Sequence, residues 1–383
     1  MKIAIPKEYR PGETRIAGSP EVVKKLIALG FEVTVEKGAG DGASYPDQAF
    51  KDVGAAIAKD EASALKSADV VFKVQRPILE GDGNELAMMK KGAILIASLG
   101  ALVNRNDVDA YAKAGITAFA MELVPRISRA QSMDILSSQS NLAGYKAVLD
   151  AAAEYGRAFP MMMTAAGTVA PARAFIMGVG VAGLQAIATA KRLGAIVTAY
   201  DVRPAVKEQV ESLGGKFLEV DPEATKDAET AGGYAREMTA EYIQKQNDVV
   251  HQHLKSQDIV ICTALIPGKP APRLITADMV RDMRPGTVII DLAVEMGGNC
   301  EGSVLGEIVE KNGVKIVGHD NVPGRLAADA SALYGRNLLN FITPLVDKET
   351  KALKIDWEDE IITGTLVTKD AKVVHPSLTG EGK

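Results

Sequence analysis

Cysteine is almost absent from this sequence: Cys262 and Cys300 are the only two among 383 residues, and no C-x-x-C pair occurs. Two isolated cysteines cannot form a disulfide framework, and with only His319 nearby they do not match a zinc cluster. We therefore expect no metal site and a cytoplasmic protein. The first residues, MKIAIPKE, contain no apolar run of signal-peptide length, which favours the same compartment.

An excess of charge of either sign is also missing, since 44 Lys and Arg face 49 Asp and Glu, a formal net charge of -5. The sequence therefore lacks the basic surface that nucleic acids or anionic membranes require, and we predict no nucleic-acid partner. The longest uncharged stretch, residues 174–190, has 17 residues and is interrupted by glycines, so we predict no membrane-spanning helix.

Strand-like and helix-like segments alternate along the chain, which is typical of parallel sheets covered by helices. At about 150 residues per domain, the length predicts two large domains. We expect an α/β fold of two doubly wound, Rossmann-like parallel-sheet domains separated by a cleft. The predicted strands are residues 3–6, 32–36, 70–74, 93–98 and 117–123, then 174–177, 195–200, 259–263 and 287–292.

Two long Ala-rich helices are predicted at residues 139–158 and 327–341, where they would join the two domains. If the chain returns to the first domain after the second helix, that domain is discontinuous. We expect residues 1–138 and 327–383 to form it. Residues 139–326 would then form the second domain, which contains the glycine motif described next.

A glycine motif of the form G-x-G-x-x-G begins at Gly178 and continues through Gly180 and Gly183. An apolar strand precedes it, a helix follows it, and Asp201 comes directly after the next strand, as in dinucleotide-binding folds. The glycines would form the tight turn, admit the pyrophosphate and pack helix on strand, and Asp201 would accept from the adenosine ribose. Asp201 favours NAD over NADP, although Arg203 leaves a 2'-phosphate possible. The alternative is a glycine turn that serves packing only.

A polar run at residues 126–139 lies where the two predicted domains meet. Gln131, Asp134 and Ser137 or Ser138 recur at spacings of three and four, so on a helix they would share a face. Such a set of donors and acceptors suits a carboxamide like that of nicotinamide. A helix cap followed by a solvated turn is the alternative.

The segment from Asp221 to Gln252 is unusually long and polar for a connection between two strands of such a domain. Its Gly-Gly-Tyr sequence ending at Tyr234 suggests a lid, with a helix at residues 240–254 behind it. A surface loop without function is the alternative. No histidine lies near the glycine turn or the polar run, which suggests hydride transfer without a coupled proton step.

Several motifs resemble the alanine dehydrogenase and nicotinamide nucleotide transhydrogenase superfamily over nearly the whole chain. They are IPKE, KVQRP, GVGVAG, ALIPGKPAP and IIDLAVEMGGNCEG. The transhydrogenase branch is matched specifically by RAQSMDILSSQSNLAGYKAV, ETAGGYA and VGHDNVPGRLAADASALYGRNLLNF.

The resemblance implies the NAD(H)-binding component, made as a separate polypeptide, of a proton-translocating transhydrogenase with Si-side and Re-side specificity. Hydride would pass directly between NAD(H) on this chain and NADP(H) on a partner component, and only in the presence of partner subunits. Membrane-spanning subunits would move the proton and hold this chain, as a homodimer, on the cytoplasmic face of the inner membrane.

The resemblance also implies roles for individual residues. Arg126 and Asp134 would pair at the nicotinamide end, Gln131 would reach the nicotinamide ribose and Ser137 the carboxamide, and these four would be catalytic. Tyr234 would close over the nucleotide. The full set of implied NAD(H)-binding residues is Arg126, Ile127, Ser128, Gln131, Ser132, Met133, Asp134, Ser137, Gly178, Val179, Gly180, Val181, Gly183, Asp201, Val202, Arg203, Gly233, Tyr234, Gln246 and Leu265.

The sequence departs from the alanine dehydrogenase pattern at two places. Gly100 stands where that pattern has a catalytic histidine, and Glu295 stands where it has an aspartate, whereas Arg15 and Lys73 persist. Two further functions stay open at this point. One is a soluble NAD-dependent amino-acid dehydrogenase, and the other is a non-catalytic NAD(H) sensor.

Overall fold

The computed structural model describes residues 1–221, 239–266 and 268–380. The chain divides into two units, Met1–Gln139 with Pro323–Lys383 and Ser140–Val322. Each unit contains its own mainly parallel sheet with helices. The α/β fold class predicted from the sequence is confirmed.

The elements of the N-terminal part alternate between strand and helix. The strands are β1 (Lys2–Ile5), β2 (Glu32–Glu36), β3 (Ala56–Ala58), β4 (Val70–Phe72), β5 (Ile94–Ala97) and β6 (Thr117–Ala120). The helices are α1 (Pro20–Ala28), α2 (Asp47–Asp52), α3 (Glu61–Leu65), α4 (Glu85–Met88), α5 (Arg105–Lys113) and α6 (Ile135–Glu154).

The middle part repeats the alternation, and the tail adds a few elements. The middle strands are β7 (Met162–Thr164), β8 (Gly167–Val169), β9 (Arg173–Met177), β10 (Ile196–Tyr200), β11 (Lys216–Phe217), β12 (Ile259–Cys262), β13 (Val288–Asp291), β14 (Ile308–Lys311) and β15 (Val314–Val317). The middle helices are α7 (Val181–Arg192), α8 (Lys207–Ser212), α9 (Ala240–Leu254) and α10 (Ala277–Arg281). The tail contains α11 (Ala327–Ile342), α12 (Glu360–Thr365), β16 (Leu366–Lys369), β17 (Lys372–Val373) and α13 (Pro376–Thr379).

The sheet of the first unit has the strand order β3-β2-β1-β4-β5-β6-β16-β17. Strands β1 to β6 are parallel, and the tail strand β16 joins β6 in the antiparallel direction. The first six strands follow the doubly wound order, which reverses between β1 and β4. A binding crevice of this unit is therefore expected at the carboxyl ends of β1 and β4.

The sheet of the second unit has the order β11-β10-β9-β12-β13-β15-β14, with only β14 antiparallel to its neighbour. This is again the doubly wound order, and it reverses between β9 and β12. Strand β12 is buried along its whole length and β9 is buried after Arg173, because helices cover both faces of a parallel sheet. The carboxyl ends of β9 and β12 therefore mark the expected nucleotide crevice.

The long helix α6 begins four residues earlier than the sequence predicted, because Asp134 caps it: the Ser137 N–H donates to Asp134 Oδ1 at 2.9 Å. The second long helix, α11, lies wholly within the first unit. The boundary between the units falls instead in the preceding 3-10 turn, Val322–Leu326.

Eight strands were not predicted from the sequence: β3, β7, β8, β11, β14, β15, β16 and β17. Strands β7 and β8 form a separate hairpin in which Met163 is 79% exposed. Within the part of the chain that the structure describes, no helix has the length and apolarity needed to cross a bilayer.

Candidate functional site

The glycine motif lies at the carboxyl end of β9, where the strand order of the second unit reverses. Gly178 has a φ of +93°, and a Cβ there would lie 2.7 Å from Thr263 Oγ1. A Cβ on Gly183 would lie 2.0 Å from the Gly178 carbonyl oxygen. Both positions exclude a side chain because of the turn and the close packing of helix on strand, as the motif predicts.

Gly180 differs from Gly178 and Gly183, since a Cβ built there would meet no atom of the described residues within 4 Å. It is the N-cap of α7, and it has no side chain to accept from the first N–H groups of that helix. Free backbone donors and the positive end of the helix dipole create a site for an anion. The open space beside Gly180 therefore fits the pyrophosphate of a dinucleotide.

Asp201 follows β10 and connects the strand to the glycine turn. Its Oδ2 accepts from the Val179 N–H at 2.7 Å, and its Oδ1 accepts from the Arg203 N–H at 2.9 Å. The Arg203 guanidinium donates to both oxygens, at 2.9 Å from Nε and 2.8 Å from Nη2. The carboxylate that would bind a ribose thus also neutralises the nearby arginine.

A pocket opens beside Asp201 and is bounded by the end of β10, by β11 and by α9. It is lined by Tyr200, Asp201, Val202, Pro204, Lys207, Phe217, Leu218, Glu219, Val220, Asp221 and Tyr242. Gln246 lies behind it, 5% exposed, and accepts from the Tyr200 hydroxyl at 2.7 Å. Burial and the neighbouring Tyr242 hydroxyl raise the pKa of Tyr200 well above its ordinary value. This side of the pocket is therefore neutral.

The other sequence-predicted residues of the second unit are placed as follows. Val181 begins α7, and Leu265 is 48% exposed in the loop that follows β12. Gly233 and Tyr234, the predicted tip of a lid, lie outside the described residues.

Asn299 supports this edge of the sheet, although the sequence did not single it out. It is fully buried; its Nδ2 donates to the carbonyls of Ala264 and Pro272 at 2.9 and 2.8 Å, and its Oδ1 accepts from the Ala264 N–H. Asp291 in turn accepts from the Asn299 N–H. A polar residue after two glycines was the only sequence signal, and it does not reveal that the side chain is buried.

The polar run of the first unit forms a 3-10 segment, Ser128–Met133, and after Asp134 the chain enters α6. Ala130 and Met133 are buried, whereas Arg126, Gln131 and Ser132 are exposed. Ile127 is half-buried and Ser128 exposed at the start of the segment. The structure thus presents one predicted catalytic residue, Gln131, on the outer face of a segment anchored in the core.

Asp134 and Ser137 contact each other across the first turn of α6. The Ser137 hydroxyl donates to Asp134 Oδ2 at 2.5 Å, and the Ser137 N–H donates to Oδ1. This is the helix-cap geometry that the sequence left open as an alternative. The cap holds the two side chains together at the end of the segment that carries Gln131.

A second charged cluster lies at the crevice of the first unit. Lys73 is buried and contacts Glu8 at 3.2 Å and Glu85 at 2.6 Å, while Arg15 contacts Glu13 at 2.6 Å. Burial lowers the pKa of Lys73, but the two carboxylates outweigh it and hold the pKa above its ordinary value. Both cations that could bind a substrate carboxylate are therefore already paired within the chain.

The parallel sheets, the glycine turn and Asp201 together define a dinucleotide-binding α/β protein. Family comparison identifies it more closely: residues 4–143 match the alanine dehydrogenase/PNT N-terminal domain and residues 147–376 the alanine dehydrogenase/PNT C-terminal domain. The chain belongs to the alanine dehydrogenase/PNT family, and the resemblance seen in the sequence is confirmed.

Known relatives match the chain over its full length. It is 67% identical over 383 residues to an NAD(P) transhydrogenase subunit alpha polypeptide of Rhodospirillum rubrum, covering 100% of both chains. The crystal structure of transhydrogenase from Sinorhizobium meliloti matches with a TM-score of 0.88 and 53% identity, over 98% of this chain and 100% of that one. An L-alanine dehydrogenase structure matches with a TM-score of 0.80 and 27% identity, over 99% and 98% of the two chains.

Proposed function

We propose that this chain is the NAD(H)-binding component of a proton-translocating nicotinamide nucleotide transhydrogenase. The observation that supports this most directly is the crevice of the second unit, where an open Gly180 and Asp201 suit a dinucleotide. Full-length similarity to a transhydrogenase alpha subunit supports the reaction. The partners would be an NADP(H)-binding component and membrane-spanning subunits, with this chain as a homodimer on the cytoplasmic face of the inner membrane.

The residues of the second unit would hold the cofactor NAD(H). The N–H groups at the start of α7 would donate to the pyrophosphate. Asp201 would accept from the adenosine ribose hydroxyls, and these bonds would replace some of those that Asp201 now accepts from Arg203. Because Asp201 pairs with the Arg203 guanidinium, little positive charge is left to attract a 2'-phosphate. This arrangement favours NAD(H) over NADP(H).

The segment of the first unit would act at the nicotinamide end, with Arg126, Gln131, Asp134 and Ser137 orienting the ring. NAD(H), when bound, supplies or accepts a hydride at its nicotinamide. One hydride leaves the reduced dinucleotide and joins the oxidised one, so charge and atoms balance without a proton from a side chain. These residues would therefore serve to position the ring, and catalysis would come from orientation.

The amino-acid dehydrogenase alternative is weakened by the cluster at the first crevice. An oxo acid would need a free cation, but Arg15 is paired with Glu13, and Lys73 with Glu8 and Glu85. Displacing a buried ion pair costs several kcal/mol in order of magnitude. Gly100 also provides no side chain for acid–base chemistry.

The proposal can be tested by mixing the purified chain with a recombinant NADP(H)-binding component and NADH, and following reduction of an NADP analogue. An alanine plus NAD assay runs in parallel. We expect rapid hydride exchange and no alanine oxidation. Alanine oxidation without exchange would establish the dehydrogenase, whereas NADH binding without either activity would establish the sensor.

A further inference from the structure

Helix α11 contacts the segment that carries Gln131 through two asparagines. The Nδ2 groups of Asn337 and Asn340 both donate to the Ser132 carbonyl oxygen, at 2.9 and 3.0 Å. The two residues are three positions apart on the helix and so lie on one face. A single backbone carbonyl, next in the chain to Gln131, is thus held by two side-chain amides.

Asn337 also contacts the start of α6. Its Oδ1 accepts from the Ser138 hydroxyl at 2.7 Å. Since the Ser132 carbonyl can only accept, the NH₂ of Asn337 must face it, and the orientation of the amide is fixed. One side chain therefore ties the 3-10 segment to the first turn of the helix that Asp134 and Ser137 cap.

The burial of Asn337 argues against a surface role. Asn337 is 7% exposed, in a helix whose neighbouring positions Leu338 and Phe341 are in the core. Burying an amide is unfavourable unless its donors and acceptor are used, and asparagine is a poor residue for a helix interior. An apolar residue would suit the core better, so the polar contacts account for the asparagine.

The network continues to Arg15, for which the proposed reaction gives no role. Gln139 Nε2 donates to the Ser138 hydroxyl oxygen at 3.1 Å, and Gln139 Oε1 accepts from Arg15 Nη1 at 2.8 Å. Glu13 holds the other side of the guanidinium. A partly buried chain of hydrogen bonds thus leads from Arg15 to the segment that bears Gln131.

We propose that Asn337, assisted by Asn340, is a positioning residue that fixes the Ser128–Met133 segment so that Gln131 and Asp134 are held in the geometry for hydride transfer. Arg15 is the far support of the same network. This inference rests on the proposed function. It assigns a part in the reaction to a helix that contributes none of the predicted nucleotide contacts.

The main test is Asn337→Asp in the full chain, assayed with the NADP(H)-binding component. The change keeps the size of the side chain but puts an acceptor against the Ser132 carbonyl. We expect hydride transfer to fall about tenfold or more, because small misplacements at a reacting centre are costly. The Kd for NADH should change less than about twofold, since the pyrophosphate and adenosine contacts are untouched. Asn312→Asp, in the exposed turn before β15, is the matched control and should transfer at the wild-type rate.

A double variant that combines Asn337→Asp with Gln131→Ala distinguishes a positioning role of Asn337 from a purely structural one. If Asn337 acts by positioning Gln131 and Asp134, the loss of transfer rate in the double variant should be smaller than the product of the two single losses. Additive losses, or an unchanged transfer rate in Asn337→Asp, would overturn the proposal. If Asn337→Asp does not fold, Asn340→Asp replaces it, because Asn340 is partly exposed. This variant should show a smaller loss of hydride-transfer rate, and an unchanged rate would also overturn the proposal. Absence of transfer in the wild-type chain would instead refute the proposed function.

Discussion

At the scale of single residues, the same side chains serve local structure and the proposed chemistry. Asp201 accepts from the Val179 N–H while it neutralises Arg203, and Asp134 caps α6 through Ser137. The polar residues of the site are therefore already ordered by the chain itself. Such preorganisation reduces the entropy that nucleotide binding must overcome.

Asp201→Asn should weaken NADH binding about tenfold, because a charged acceptor for the ribose is worth roughly 1.5 kcal/mol more than an uncharged one. The amide oxygen can still accept from Val179, so the turn should persist. Arg203, released from its ion pair, should improve NADPH binding in the same variant. Equilibrium titrations with both nucleotides measure these changes.

Asp258→Asn is the matched control, since Asp258 also accepts from a backbone N–H and pairs with an arginine. Asp258 directly precedes β12, so it lies at the amino ends of the strands, whereas Asp201 lies at their carboxyl ends. The nucleotide affinities of Asp258→Asn should not change. Equal NADH affinity of Asp201→Asn and the wild type would refute the ribose assignment.

Glu61 should make stability depend on pH. Burial, followed by the neighbouring Glu85, raises its pKa from an ordinary 4.5 to about 8. Between these values the folded chain holds a proton that the unfolded chain has lost, so stability falls as pH rises from about 4.5 to 8. Glu61→Gln removes this dependence. In thermal melts, the Tm of Glu61→Gln relative to that of the wild type should rise as the pH is raised towards 8–9. Parallel pH profiles for the two proteins would contradict this account.

At the scale of elements, the strand–turn–helix unit around Gly180 forms the proposed pyrophosphate site. It was recognisable from the sequence because its strand, glycines and acidic residue follow a fixed spacing. The 3-10 segment before α6 was not recognisable from the sequence, since its polar spacing fits either a shared helix face or a helix cap. The cap formed, because Asp134 precedes an N–H group that needs an acceptor.

Gly180→Ala and Gly178→Ala should separate binding from folding. A Cβ at Gly180 meets no atom within 4 Å among the residues that the structure describes, so the variant should fold with a loss of about 1 kcal/mol or less. Its methyl group would nevertheless occupy the proposed pyrophosphate space. We expect NADH affinity to fall at least tenfold. Gly178→Ala should lower the Tm, because of its φ of +93° and the contact with Thr263. Chemical denaturation and NADH titration of both variants test this, and tight NADH binding by Gly180→Ala would contradict it.

At the scale of the whole molecule, the two large sheets have the same doubly wound order, and the tail completes the first of them. Strand β16 lies beside β6 with Val367 fully buried. Ile361 and Ile362 of α12 are buried in the same unit. The tail is thus a structural part of the first unit.

Removing residues 347–383 should therefore unfold the first unit. The buried side chains of α12 and β16 contribute roughly 1.5–3 kcal/mol each, and together they rival the whole stability of a domain. Circular dichroism should show lost helix and a broadened melt. A chain that lacks only residues 376–383 is the control, because α13 buries no residue. Cooperative melting of the longer truncation at the wild-type Tm would show that the tail is dispensable.

The sequence by itself determined the long elements and the glycine turn. Helix α9 has the predicted bounds, and strands such as β12 and β13 were visible as apolar runs, since local propensity and caps suffice to define them. Short edge strands such as β3 and β11 were missed, because two or three residues carry no period. Only the tertiary structure decided the strand order, the pairing of Lys73 with Glu8, and the contact of Asn337 with Ser132. These depend on residues far apart in the chain, and their proximity follows from packing that no local pattern encodes.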